Sequence, residues 1–216
     1  MIFHIFYLGC LLFSFLVALA NFQILKSRQL ALFVPFLAFV FIQEFSVFVF
    51  GLSHPKDSTA IVYNIYSVIN ASFFVYFYFR IIPSALFRKL MILMLAFFTI
   101  TAFITFFWLQ PITIYNSYLS LASGLVITCC GVFFLFNYFN LDNIGEEKKW
   151  SPVLWITIGI VSFYPVVNIS FAFYKHLLAY DATLFGYRLY RIIPQLMSIF
   201  MYGCFAYAFY LCRKKK

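Results

Sequence analysis

The sequence predicts an all-α, polytopic membrane protein of seven transmembrane helices, and three observations carry that prediction. Seven apolar runs, each about the 20 residues needed to cross a bilayer, take up nearly all of the 216 residues. Hydrophobic residues make up 65% of the chain and the mean hydropathy is +0.98, against roughly 45–50% apolar content in a soluble domain. The runs are continuous, whereas the strands of a membrane β-barrel alternate over about ten residues. Nothing is left over for a soluble module, so residues 1–216 read as a single transmembrane domain. The 33 Phe and 16 Tyr imply an interior filled by rings more than by close backbone contacts between small residues.

The first span covers about Ile2 to Leu25 and stops at Lys26-Ser-Arg28. Only Met-Ile-Phe-His precedes its apolar core, with no basic n-region, so it reads as a retained span and not a signal peptide. The second covers about Leu30 to Leu52, with Pro35 near its start, and the polar stretch 53–59 separates it from the third, about Ala60 to Ile82. Pro83 and then Arg88-Lys89 lead to the fourth, about Leu90 to Leu109, interrupted only by threonines. The fifth runs from about Ile114 to Phe139 and is followed by the most hydrophilic loop, Asn140 to Lys149. The sixth covers about Pro152 to Tyr174, the seventh about Tyr187 to Cys212, and a basic cluster, Arg213 to Lys216, closes the chain.

Orientation follows from the basic residues, which accumulate in short cytoplasmic loops. With the N-terminus outside, the cytoplasmic side receives Lys26, Arg28, Arg80, Arg88, Lys89, Lys148, Lys149, Arg213, Lys214, Lys215 and Lys216, eleven of the fifteen Lys and Arg. The other side keeps Lys56, Lys175, Arg188 and Arg191. The expected topology is therefore N-out and C-in, in the cell (inner) membrane. The formal charge of +9 is explained by this flanking role, so nucleic acid is not an expected partner. The terminal cluster suits contact with anionic headgroups. The order of features after the first span recurs after the fifth, which is compatible with a 3+1+3 arrangement of parallel repeats around the fourth span.

Ionisable groups inside a span cost several kcal/mol when unpaired and default to functional candidates. Glu44, in Phe41-Ile-Gln-Glu-Phe-Ser46, is the one such group well inside. It lies about 12 Å below the outer end of its span at 1.5 Å per residue. Other polar residues share that depth. Asn64, Ser67 and Asn70 fall on one face at i, i+3, i+6; Tyr164 and Asn168 are at i, i+4 beside Pro165; Tyr187, Arg191 and Gln195 are at i, i+4, i+8 beside Arg188 and Pro194. Together they suggest a polar pocket opening outward, in which Glu44 and Arg191 meet and Arg191 holds an anionic group. The alternative is that Arg188 and Arg191 snorkel to the headgroups and Glu44 is neutral or amide-bonded.

Several chemistries are argued down. The seventh span has no mid-helix lysine for a retinal Schiff base, and His4, His54 and His176 sit at span ends or in loops, where they suit neither haem nor a serine hydrolase. No His-Glu or paired-Asp motif suggests a metal, so no metal and no cofactor is expected. Cys10, Cys129, Cys130, Cys204 and Cys212 all lie in apolar runs and read as small core residues. The sequons at Asn70 and Asn168 fall inside spans, out of reach of glycosylation.

The Tyr63-Asn-Ile opening of the third span, the Pro152-Val-Leu-Trp-Ile-Thr-Ile-Gly159 opening of the sixth and the aromatic-rich remainder resemble a loosely defined set of small bacterial seven-helix membrane proteins, a resemblance that implies no function. The Pro194-Gln195 pair gives a weaker similarity to PQ-loop transporters of the SWEET type. That family carries its pairs in the first helix of each repeat, whereas this pair lies in the last helix.

The reading that results is a ligand-binding or sensory membrane protein. Its partners would be the bilayer, a small or lipid-derived ligand, and a cytoplasmic signalling protein at the charged loop or tail. A small-solute transporter built from two three-helix halves is the alternative, and an intramembrane lipid-modifying enzyme a third. No acid–base pair supports an enzyme.

Overall fold

In the computed structural model, residues 2–54, 58–140, 144–173, 177, 180, 183–184 and 187–213 are described. Lys56, Tyr174, Lys175, His176, the first residues of the hydrophilic loop (141–143) and Lys214 to Lys216 lie outside them. The described helices are α1 (Ile2–Ala20), α2 (Phe22–Ser27), α3 (Phe33–Ser53), α4 (Ala60–Ile81), α5 (Ala85–Ile104), α6 (Ser117–Phe139), α7 (Ile144–Ala172) and α8 (Leu189–Arg213). A two-residue antiparallel pair, β1 (Thr183–Leu184) with β2 (Tyr187–Arg188), precedes α8. Among the described residues seven helical segments are long and apolar enough to cross a membrane: this is a multi-pass membrane protein with a seven-helix bundle.

The chain divides into two compact units, Met1–Ser53 with Asp142–Lys216, and His54–Leu141. The first two and last two spans thus group together, and the third, fourth and fifth form the other unit.

In the first unit α8 packs on α7 and α1, and α1 packs on α3. Among the buried positions of α1, Tyr7, Leu11, Ser14 and Ala18, and among those of α8, Ser198, Tyr202, Phe205, Phe209 and Cys212, repeat at alternating steps of three and four, the spacing that keeps one stripe on a neighbouring helix. Phe33 of α3 completes this core, with ring centroids 5.6 Å from Phe205 and 5.7 Å from Phe209. Where α7 meets α8 the backbones come close: a methyl group at Gly159 would lie 3.0 Å from Cys204 Cβ and 3.2 Å from the Met201 carbonyl oxygen.

The long first span of the sequence reading is broken at Asn21, whose side-chain amide donates to the Val17 carbonyl at 2.8 Å. An asparagine bonded to its own backbone competes with helix propagation. The short α2 then ends in a Schellman motif: the Leu30 amide donates to the Leu25 carbonyl at 2.9 Å and the Gln29 amide to Lys26 at 3.4 Å. Gln29 takes the left-handed position, with φ 62°. Leu25 and Leu30 are both buried, supplying the apolar contact that accompanies this cap.

In the second unit α4 packs on α6 and α5, and α5 packs on α6. Tyr78 meets Phe134 at 6.0 Å and Phe87 stacks on Phe133 at 4.9 Å. The helix α4 stops because Ile82 precedes Pro83 and is held extended, ψ 121°. Both α5 and α7 begin earlier than hydropathy suggests. Ala85 to Lys89 and Ile144 to Lys149 are helical, because lysine, arginine and glutamate are good helix formers that need no bilayer. At its far end α5 widens into a π-helical turn, Thr105–Leu109, in which the Gln110 amide reaches the Thr105 carbonyl at 2.9 Å. Pro111 then ends it.

Candidate functional site

The polar residues singled out in the sequence fall in both units and are used differently in each. In the second unit, Asn64 is 1% exposed and its amide nitrogen donates to the Ile112 and Ile114 carbonyls at 2.8 and 2.9 Å. Its carbonyl oxygen accepts from the Asn116 backbone amide at 3.0 Å. Asn116 in turn caps α6, its side-chain oxygen accepting from the Leu119 amide at 2.9 Å. One asparagine therefore fixes the whole segment 112–116 that leads into α6. The Ser67 hydroxyl donates to the Tyr63 carbonyl at 3.0 Å, and the Ser67 carbonyl accepts from the Ser123 hydroxyl of α6 at 3.1 Å. Asn70 continues the same buried face. Asn64 and Ser67 hold backbone in place.

The first unit brings Glu44, Tyr164 and Gln195 into one cluster and adds residues the sequence reading passed over. Glu44 is buried, as are Gln43 beside it, Tyr7, Tyr164 and Tyr202. The Tyr7 and Tyr202 hydroxyls are hydrogen-bonded, and Glu44 and Tyr164 lie within electrostatic reach of Tyr202. One turn from Glu44 on α3, Phe48 stacks on the His4 ring at 4.9 Å, and His4 meets Tyr7 edge-on at 5.6 Å. Gln195 of α8 lies with its side-chain nitrogen 3.4 Å from His4 Nδ1. Two buried nitrogens in this unit, His4 Nε2 and Gln43 Nε2, have no hydrogen-bond partner among the described residues.

These groups lie on the stripes that form the core. Lower on α1 and α8 the same positions carry Leu11, Phe205 and Phe209, whereas in the turns nearest the N-terminus they carry His4, Tyr7 and Gln195. The larger polar side chains of the stripe are thus gathered toward one end, with Ser14 the polar residue beyond Leu11 on α1.

One candidate, Arg191, lies at the exposed start of α8. Arg191 is exposed, its guanidinium 5.7 Å from the centre of the Tyr190 ring, and Arg188 donates to the Tyr190 hydroxyl at 3.5 Å. Arg188 immediately precedes α8 and Arg191 lies in its first turn. Asn168 is half-buried, one turn beyond Tyr164 on α7. Tyr187 belongs to β2, so it shares no helix face with Arg191 and Gln195. Among the described residues no group of three or more His, Cys, Asp or Glu is placed to hold a metal ion.

Comparison with protein-family models, with curated proteins and with solved structures finds no match to this chain.

His4, Tyr7 and Tyr202 were missed because the sequence reading ranked residues by type. A histidine four residues from the start reads as a span end, and tyrosines read as interfacial rings. The signal that finds them is register: His4 and Tyr7 continue the stripe of Leu11, and Tyr202 lies seven residues beyond Gln195.

Proposed function

We propose that the protein is a ligand-binding, sensory membrane protein whose site is the His4–Glu44 cluster. One observation carries this reading: the single carboxylate of the seven spans, Glu44, is buried with three tyrosines in a unit that also leaves the buried His4 Nε2 and Gln43 Nε2 without partners among the described residues. Buried polar nitrogens are nearly always bonded, and leaving one unmet costs about 1–3 kcal/mol. A ligand that accepts from these nitrogens recovers that cost. The carboxylate favours a ligand group that is cationic or donates hydrogen bonds, and the rings of Tyr7, Phe48 and Tyr202 favour the same sign through their negative faces. An anionic ligand group would instead be met at the start of α8, by Arg188 and Arg191.

With the N-terminus outside, as the distribution of Lys and Arg favours, the cluster opens away from the cytoplasm. Output to the cell would then pass through a partner protein at the charged start of α7 or the basic tail.

Native mass spectrometry of the purified protein tests this. The expected result is a discrete small-molecule adduct on the wild type that is lost from both Glu44→Gln and Gln195→Leu. An adduct retained by both variants, or none on any form with all three folded, overturns it.

A further inference from the structure

The groups of the cluster that the ligand reading uses, His4, Tyr7, Tyr202 and Glu44, are also titratable and follow one another in a row. Glu44 is the only acidic residue in the seven candidate spans. It lies nine residues from Ser53, the end of α3, or about 13 Å at 1.5 Å per residue. From the start of α1 the row runs inward. His4 is against Tyr7 at 5.6 Å between ring centres, Tyr7 is hydrogen-bonded to Tyr202, and Tyr202 is within electrostatic reach of Glu44 and Tyr164.

A charged carboxylate at membrane depth costs several kcal/mol, whereas the protonated acid is neutral. Glu44 can move between the two forms only if a proton can travel to it. Tyrosine hydroxyls and an imidazole suit this: each accepts one proton on a lone pair and passes on another. We infer that Glu44 is a proton-exchanging carboxyl, loaded and unloaded from the His4 end of the unit by way of Tyr7 and Tyr202. For each proton taken up, one O–H bond of a hydronium ion breaks and one forms on the Glu44 carboxylate, while each relaying ring gains one proton and gives up another, so no bond between heavy atoms changes.

Among the described residues, the titratable groups around Tyr202 of α8 are Glu44 from α3, Tyr7 from α1 and Tyr164 from α7, with His4 beside Tyr7. Arg188 and Arg191, at the start of α8, are engaged with Tyr190. The inference rests on the same cluster as the ligand reading, but not on the ligand. If both hold, the proton competes with a cationic ligand group for the carboxylate, and binding weakens as the pH falls.

Infrared spectroscopy of the purified protein in lipid vesicles tests this with protons and deuterons as the only probes. The expected result is a carbonyl band from a protonated carboxyl that grows as pH falls between about 9 and 4 and is absent from Glu44→Gln. In Glu44→Asp the band is displaced, which keeps the assignment secure if the glutamine variant does not fold. In Tyr202→Phe the band titrates as in the wild type, but its exchange into deuterium slows by roughly a hundredfold, the order of a lost proton-transfer group. A wild-type band unchanged by pH, or the same titrating band in Glu44→Gln, overturns the inference. Exchange in Tyr202→Phe as fast as in the wild type overturns the route. Loss of the mass-spectrometric adduct is read separately, so a failure of the ligand reading is not mistaken for a failure of this one.

Discussion

In the unit of α4, α5 and α6, Asn64, Ser67, Asn116 and Ser123 give their hydrogen bonds to backbone carbonyls and amides. In the unit of α1, α3, α7 and α8, His4 and Gln195, and Tyr7 and Tyr202, contact one another side chain to side chain. Most members of both sets lie toward the N-terminal ends of their helices, and all are polar side chains within or beside apolar runs. The difference is in what the partner can do. A backbone carbonyl has no freedom to leave, so a side chain bound to it is fixed and serves the fold. Two side chains can rotate apart and bond something else. The contrast teaches that a polar residue at membrane depth is best judged by its partner and not by its cost.

Substitutions that separate fold from site sharpen this comparison. The largest loss of stability is expected from Gly159→Leu, because the added side chain has only 3.0 Å to the Cys204 Cβ. Overpacking of this kind costs about 1–3 kcal/mol, and unfolding in detergent should reveal it as a lower midpoint. Next comes Asn64→Leu. Removing three hydrogen bonds to the 112–116 segment should cost about 2 kcal/mol, at the modest value each such bond has in a membrane. Asn116→Ala should cost about 1 kcal/mol, the value of a lost helix cap, with no effect on ligand binding. Gln29→Gly is expected to stabilise by about 0.5 kcal/mol, since glycine adopts the left-handed cap position without the steric cost a side chain incurs. A fall in stability on Gln29→Gly would show that the Gln29 side chain contributes more than its backbone position.

Much of the fold was legible in the sequence because hydropathy is additive along the chain. The seven spans follow from run length alone, and Pro83 and Pro111 mark ends that the backbone respects. Hydropathy misplaced the starts of α5 and α7, since Arg88, Lys89 and Glu146 to Lys149 mark where lipid ends, not where helix ends. It also missed the break at Asn21, which one side-chain bond to Val17 accompanies inside an otherwise apolar run. The site was legible only in part. Glu44, Tyr164 and Gln195 stand out by type and depth, whereas the grouping that separates them from Asn64 and Ser67 depends on contacts between distant spans. Asn64 finds its partners 48 to 52 residues away, and no local pattern encodes that.

The most direct test of the account crosses one substitution from each unit against two readouts: Glu44→Gln and Asn64→Leu, each followed by thermal unfolding and by native mass spectrometry. The account predicts that Asn64→Leu unfolds at a lower temperature with the small-molecule adduct intact, while Glu44→Gln unfolds near the wild-type temperature and loses the adduct. An adduct lost from Asn64→Leu while it remains folded, or kept by Glu44→Gln, would contradict it.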